Sequence, residues 1–152
     1  MSTLEPSAPV ILGPDEGVRR EARGVVGYFK ALAATTSGRF SLVERILPPH
    51  NRMPPPHRHV AGEEAFYVLS GEVFFELGEE RHTGDAGSFV LVPPGHAHTF
   101  GNQSEDEARL LVIHTPPLDA YFAELEELWG REVPPTPEEE RACMSRHGMS
   151  PA

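Results

Sequence analysis

Short apolar segments rich in β-branched and aromatic residues follow one another through the middle of the chain, separated by polar or glycine-containing turns. This pattern is typical of antiparallel strands that are joined by tight turns. The segments that we interpret as strands span residues 25–32, 40–47, 65–69, 73–77, 89–92 and 109–114. Short strands at such intervals predict an all-β sandwich or a closed barrel.

The period of the pattern changes after Pro116 and Pro117. Apolar side chains then recur at helical spacing up to Trp129, with glutamates on the other side, which predicts one amphipathic helix that ends at Gly130. The charged stretch 138–144 is compatible with a short second helix. The predicted organisation is an N-terminal arm (1–24), a β-barrel (25–115), a C-terminal helix packed on the barrel (116–131) and a polar tail (132–152).

The arm is rich in proline, glycine and charged residues, and its one apolar cluster is Val10-Ile11-Leu12. Such a segment is expected to dock on a folded domain rather than to fold alone. The tail contains Cys143, the only cysteine, so an intrachain disulfide is excluded. In this polar context we expect Cys143 to be a solvent-exposed thiol.

Length and charge restrict the classes of partner that we expect for this protein. A chain of 152 residues fits one domain, and its formal net charge is −10. Nucleic acids and anionic membranes would each require a patch of lysine and arginine, which the sequence lacks. The first residues show no signal-like pattern and no apolar run reaches membrane-spanning length. We therefore expect a cytoplasmic protein whose partner is a small-molecule substrate, with no nucleic acid and no membrane.

Candidate metal ligands are concentrated in two stretches. His57 and His59 are two residues apart, a spacing that places both imidazoles on one face of a strand. Glu64 follows a turn-capable break, so its carboxylate can return toward the two histidines. His98 lies beyond the Pro-Gly corner at Pro94 and Gly95 and is the fourth candidate ligand.

These residues give the chain its resemblance to the cupin superfamily. That superfamily has a first motif G-x5-HxH-x3-4-E-x6-G and a second motif G-x5-P-x-G-x2-H-x3-N. Positions that match the first motif are His57, His59, Glu64 and Gly71, and positions that match the second are Gly87, Pro93, Gly95, His98 and Asn102. Asn51 stands in place of the leading glycine, and asparagine also tolerates a left-handed backbone. Glu63 competes with Glu64, but only Glu64 has six residues before Gly71.

The resemblance implies a small antiparallel jelly-roll barrel, a double-stranded β-helix, with one divalent transition metal per chain inside its mouth. Three imidazoles and one carboxylate suit Mn, Fe, Co, Ni, Cu or Zn, and the sequence does not choose among them. With six-coordinate geometry, four protein ligands leave open positions for a substrate. The resemblance also suggests a homodimer, which the apolar arm and the helix beside the barrel favour.

A substrate pocket above the metal is expected from strand parity. Phe66 and Val68 share the face of Glu64, and Phe100 shares that of His98, whereas Tyr67 points away. His96, two residues before His98, is a further candidate for this cavity. The alternative is that the apolar residues are simply barrel core. We interpret the remaining histidines as surface or structural residues: His50, His82, His114 and His147.

A looser resemblance joins the chain to the small bacterial cupins grouped with quercetin 2,3-dioxygenase, and it rests on the stretches GRFSLVERILPPH, PPPHRH and EEAFYVLSGEV. It implies a metal-dependent dioxygenase of a flavonol-like or polyketide-like small molecule, with Glu64 as the catalytic residue that accepts a substrate proton. Two alternatives stay open. One is a metal-assisted cyclase or isomerase of a polyketide-type intermediate, and the other is a non-catalytic small-molecule-binding cupin.

Overall fold

The computed structural model describes residues 9–152. Its strands are β1 (Val18–Ala22), β2 (Val25–Ala31), β3 (Ser41–Leu47), β4 (His57–His59), β5 (Glu63–Ser70), β6 (Glu72–Leu77), β7 (Glu80–Asp85), β8 (Phe89–Val92), β9 (His98–Gly101), β10 (Ala108–Thr115) and β11 (Met149–Pro151). Its helices are a 3-10 turn at Ala33–Thr35, α1 (Asp119–Trp129) and α2 (Pro137–Arg146). Among these residues, no helix combines the length and the apolar composition that a membrane span requires.

Two antiparallel sheets face each other and enclose the core. One sheet has the strand order β1-β2-β3-β10-β5-β8, and the other has the order β11-β4-β9-β6-β7. Their inner faces contribute large buried side chains, among them Phe29, Phe66, Phe75, Leu110 and Val112. The expected all-β jelly-roll architecture is therefore confirmed.

Alternation along β3 and β10 explains why these strands lie at the centre of the larger sheet. In β3 every second residue is buried, and the same period runs through β10. The buried set of each strand is mostly apolar but includes one large polar side chain, Arg45 in β3 and His114 in β10. Both side chains thus point between the sheets, at the end of the barrel that carries the candidate ligands.

The turn after β5 requires glycine. Gly71 has a φ of 76°, and a Cβ atom there would lie 2.6 Å from the carbonyl oxygen of Glu107. Asn51 was expected to stand in for the motif glycine because asparagine tolerates a left-handed backbone. In the structure, however, the residue with a left-handed backbone is His50. The side-chain oxygen of Asn51 instead accepts a hydrogen bond of 2.6 Å from the backbone N–H of Asn102, which joins the two motifs.

The two ends of the described chain are more structured than the sequence suggested. The first eight residues of the expected arm lie outside the described part, but Val18–Ala22 forms β1 and pairs with β2. In the expected polar tail, α2 begins with a capping box between Thr136 and Glu139, and β11 pairs with β4. Cys143 on α2 is 0% exposed, which corrects the expected exposed thiol.

Helix α1 is amphipathic, as its sequence predicted, and it closes one end of the barrel. Tyr121, Phe122 and Leu125 form its buried face. The Phe122 ring lies 5.4 Å from that of Phe29, measured between centroids, so the helix packs directly on the inner face of β2. This contact brings aromatic side chains of α1 above the barrel mouth.

Candidate metal centre

Three strands bring the candidate ligands together. His57 and His59 alternate with exposed Arg58 on β4, so both imidazoles face inward. His98 on β9 is the cross-strand partner of His57. Glu64 comes from the opposite sheet, where it pairs with His114 across β5 and β10. The centre is therefore built between the two sheets rather than within one.

The donor atoms of the four expected ligands form one buried cluster. One ligand atom each of His57, His59, Glu64 and His98 lies within 4.8 Å of the others. The carboxylate oxygen Oε1 of Glu64 is 2.9 Å from Nε2 of His59 and 2.8 Å from Nε2 of His98. Glu63, the competing glutamate, is exposed at the start of β5 and is not a member of this cluster.

Backbone carbonyls orient two of the imidazoles. Nδ1 of His57 lies 2.8 Å from the carbonyl oxygen of Pro55, and Nδ1 of His98 lies 2.9 Å from that of His96. In His57, Nδ1–H can donate to the carbonyl, which leaves the Nε2 lone pair directed at the cluster, whereas both ring nitrogens of His98 face acceptor oxygens. A divalent transition metal fits this donor set, because neutral imidazole nitrogens and a carboxylate are its usual ligands.

At His57 and Glu64 the environment favours the protonation states that a metal requires, whereas at His98 burial would lower the pKa but the hydrogen bond and charge of Glu64 outweigh it and raise that pKa. Burial, together with the nearby His98, lowers the pKa of His57 to about 4, so its imidazole is neutral at neutral pH. Burial alone would raise the pKa of Glu64. The charge and hydrogen bond of His114 and the hydrogen bonds of His59 and His98 outweigh it and hold that pKa well below the ordinary value. Glu64 is therefore a carboxylate.

His114, which the sequence analysis interpreted as a surface or structural residue, is buried beside Glu64. Its Nε2 lies 2.9 Å from Oε2 of Glu64, the oxygen that the other histidines leave free. Its Nδ1 is buried, and within residues 9–152 it has no hydrogen-bond partner. Strand parity with Leu110 and Val112 was the available signal, because these apolar residues mark the inner face of β10.

A cavity of about 20 Å³ adjoins the ligands. This volume is close to the space that one water molecule needs. Besides His57, His59, Glu64 and His114, its walls consist of Arg23, Arg45, Pro54, Phe100, Leu118, Tyr121, Phe122 and Met149. These other walls therefore come from β3, β9, α1 and β11 and from the segments around Arg23, Pro54 and Leu118.

Of the four residues expected to line a substrate pocket, one lines the cavity, two lie in the core and one is exposed. Phe100 lines the cavity. Phe66 and Val68 lie in the core, where the Phe66 ring contacts those of Phe75 and Phe100 at centroid distances of 5.3 and 4.9 Å. His96 is exposed and borders a different surface groove. The parity argument failed for His96 because β9 begins only at His98, so the turn residues before it do not alternate.

Comparisons with known proteins agree on the fold. The sequence profile that describes the cupin domain matches residues 43–114. An uncharacterized protein of Streptomyces coelicolor is 42% identical over 62 residues, which are 41% of this chain and 55% of that protein. The chain thus matches only about half the length of that relative.

Two solved structures of enzyme-type proteins are similar. One is described as a predicted oxalate decarboxylase from Thermotoga maritima, with a TM-score of 0.64, 19% identity and coverage of 70% of this chain and 99% of that one. The other is the polyketide cyclase RemF from Streptomyces resistomycificus, with a TM-score of 0.62, 21% identity and coverage of 71% and 80%. At these identities the likeness concerns the fold.

Proposed function

Because residues 43–114 of this chain form a cupin domain, we propose that the protein is a metal-dependent enzyme in which Glu64 takes a proton from a small enolisable substrate. The observation that carries this proposal is the state of Glu64. It is a buried carboxylate that three histidines contact from both of its oxygens, beside a cavity. Glu64 lines that cavity, which is therefore one route by which a substrate could reach this base.

His57, His59, Glu64 and His98 would hold the metal. A divalent transition metal at these ligands would polarise a substrate carbonyl or hydroxyl group and stabilise the enolate that proton removal produces. The protein residues have separate tasks. His114 donates to Oε2 of Glu64 and so fixes the orientation of the carboxylate, while Phe100 and Phe122 keep water from the cavity.

For the reaction type, our leading hypothesis is oxygenation. The stretches that resemble the quercetin 2,3-dioxygenase group support it, since an enolate produced by Glu64 is the electron-rich form that reacts with molecular oxygen. The cavity adds a restriction on size. A volume of about 20 Å³ beside the ligands is close to that of one water molecule, so a substrate of any of these classes requires the side chains of the wall or α1 to move.

A cyclase or isomerase is the second candidate. Glu64 is the one carboxylate among the cavity-lining residues, and a single carboxylate can remove a proton and return it elsewhere without oxygen. Likeness to a polyketide cyclase of known structure supports this alternative at the level of the fold. The two hypotheses differ in their requirement for oxygen.

The test combines metal reconstitution with oxygen measurement. Apo protein is loaded separately with Mn, Fe, Co, Ni, Cu or Zn and mixed with flavonols and with smaller hydroxy-ketones and diketones. We expect turnover with at least one pair, with stoichiometric oxygen uptake for the oxygenase and unchanged anaerobic turnover for the isomerase. Glu64→Gln should lower kcat by about 100-fold or more, as for the loss of a general base.

A non-catalytic binding protein would behave differently. It would bind one of these compounds without converting it, and Glu64→Gln would leave that affinity unchanged. This result would refute the enzyme proposal. Glu63→Gln, which alters an exposed carboxylate next to Glu64, is the matched control for both measurements.

We also propose that the chain forms a homodimer. Tyr67 on β5 and Phe89 on β8 are cross-strand neighbours, and together with Leu69 and Leu91 they form an exposed apolar surface at the edge of the larger sheet. Light scattering should give twice the chain mass, and Phe89→Glu should reduce it. A monomer at high micromolar concentration would contradict the dimer.

A further inference from the structure

Arg45 is a buried arginine on the wall of the cavity. Its side chain lies on the inner face of β3, and the residue is 7% exposed. The guanidinium carbon is 5.7 Å from the ring centroid of Phe100 and 5.2 Å from that of Phe122. Both rings also line the cavity, so the cationic group is held between aromatic side chains beside the metal ligands.

Among residues 9–152, no salt bridge or hydrogen bond involves the guanidinium group of Arg45, and its nitrogens are not among the fully buried polar atoms, so they keep access to the cavity that Arg45 lines. Glu64 is close enough to raise the pKa of Arg45 slightly, but hydrogen bonds to histidines already engage both of its oxygens. Burial and the nearby Arg23 lower the pKa of Arg45 to about 10. The guanidinium is therefore still charged at neutral pH.

The second arginine of the cavity provides the contrast. Arg23 is equally buried, but its Nε lies 2.8 Å from Oε1 of Glu140, and its Nη2 is 3.4 Å from the hydroxyl of Tyr121. Arg23 thus has the charge partner that a buried guanidinium requires, whereas Arg45 does not. A buried cation without a partner destabilises the free protein, so its presence beside a cavity points to a ligand that supplies the missing charge.

We propose that Arg45 binds a carboxylate of the substrate, so that the compounds processed at this centre are small carboxylic acids. The inference rests on the proposed function, in which the reacting group of the substrate faces Glu64. The carboxylate of the substrate then occupies the Arg45 side of the cavity. The planar guanidinium fork matches the two oxygens of a carboxylate.

The charges around the cavity agree with an anionic ligand. Glu140 neutralises Arg23, and Glu64 is the remaining carboxylate among the lining residues and their direct partners. A divalent metal together with Arg45 therefore leaves a surplus of positive charge between the apolar walls. A neutral substrate would not compensate this surplus, whereas a carboxylate would.

The test compares glycolate with glycolamide, two ligands of equal size of which only the first is an anion. Their affinities for the metal-loaded full chain are measured by titration calorimetry, for the wild type and for Arg45→Met, Arg45→Lys and the surface control Arg109→Met. A metal by itself also binds an anion more tightly than a neutral ligand. The contribution of Arg45 is therefore the part of the preference for glycolate over glycolamide that is lost in Arg45→Met. We expect that loss to be about tenfold or more, as for a hydrogen-bonded charge pair.

Arg45→Lys should keep part of the preference, since it retains the charge without the fork, and Arg109→Met should keep all of it. Metal content should be equal in all variants. Ligand-free Arg45→Met should have a Tm equal to or above that of the wild type, whereas Arg23→Met should have a lower one. A full preference in Arg45→Met, or equal binding of both ligands by the wild type, would overturn the inference.

Repeating the titration with metal-free protein separates this inference from the proposed function. A preference for glycolate that depends on Arg45 in the absence of metal supports a carboxylate site, even where no substrate of the panel is converted. Conversely, turnover of neutral and acidic substrates at equal rates, unchanged in Arg45→Met, retains the enzyme proposal and rejects the carboxylate site.

Discussion

The two walls of the cavity differ in how their residues are distributed along the chain. The ligand wall, formed by His57, His59 and Glu64, comes from one short segment at motif spacing. The arginine wall, formed by Arg45, Tyr121 and Phe122, comes from a central strand and a helix that are far apart in the chain. The first wall can hold a metal, and we propose that the second selects the ligand that binds beside it. A family motif therefore predicts the chemistry of this centre better than its selectivity.

The largest effect is expected from removing the ligand wall. The double variant His57→Ala/His59→Ala should lose essentially all bound metal, because two of four donors disappear and a single carboxylate and imidazole bind weakly. Metal analysis by mass spectrometry on protein purified without added metal measures this. The matched control is His50→Ala/His82→Ala, two exposed histidines. Equal metal in both double variants would show that the metal binds elsewhere.

Breaking the arginine wall should affect stability instead of metal content. Phe122→Ala removes a ring that packs on Phe29 and Tyr121, so we expect a loss of about 3 kcal/mol in the free energy of unfolding. Bound metal should remain stoichiometric. Denaturant unfolding measures the first quantity, with exposed Val133→Ala as a control that changes stability by about 0.5 kcal/mol or less. Loss of metal in Phe122→Ala would mean that the two walls are not independent.

A smaller effect on metal affinity is expected at His114, which contacts Glu64 without being one of the four ligands. His114→Phe removes the donor to Oε2 and should weaken metal binding by about 10- to 100-fold, as for other groups that orient a ligand. His114→Gln retains a donor and should stay closer to the wild type. Competition with a chelator of known affinity gives both values. An unchanged affinity in the Phe variant would assign His114 to packing alone.

The smallest effect concerns Glu124, which links α1 to the segment before β11. Hydrogen bonds from Arg146 and His147 lower its pKa to about 2 from an ordinary 4.5. Because the folded-state pKa is the lower one, the stabilisation is complete above pH 4.5 and is lost as the pH falls toward 2. Over this pH interval, Tm should fall less steeply in Glu124→Gln than in the wild type. The difference should correspond to about 1 kcal/mol or less in the free energy of unfolding, because the pair is partly exposed.

Salt and a control variant sharpen that last prediction. High salt should reduce the difference between wild type and Glu124→Gln, since exposed charges are screened. Glu105→Gln, at an exposed carboxylate near His50, should follow the wild-type curve more closely. A Glu124→Gln curve that is parallel to the wild type through the whole interval would argue against the link.

Sequence reasoning succeeded where a local rule fixes the geometry. The spacing of His57 and His59 determines that both face one side of a strand, and the helical period from Leu118 to Trp129 determines the buried face of α1. Both outcomes depend on the conformation of neighbouring residues only. The jelly-roll architecture followed from the family motifs in the same way.

It failed where the answer depends on contacts between distant segments. Parity shows that Arg45 and His114 share a face with apolar residues, but only the packing of β3, β10 and α1 shows that they meet a cavity and Glu64. The burial of Cys143 likewise depends on how α2 packs. Met149–Pro151 has no strand-like alternation and contains a proline, so its pairing with β4 was not foreseeable from its own residues.

That last pairing has a consequence for how the protein is made. Strand β4 pairs with β9 only at His57, but it pairs with β11 at His57, Arg58 and His59, and Met149 completes the cavity wall. Synthesis begins at the N-terminus, so the two histidines leave the ribosome long before Met149–Pro151 does. The strand that carries them lacks its main partner during this time. We therefore expect the metal to be acquired after translation, by a chain that has already released β11 from the exit tunnel.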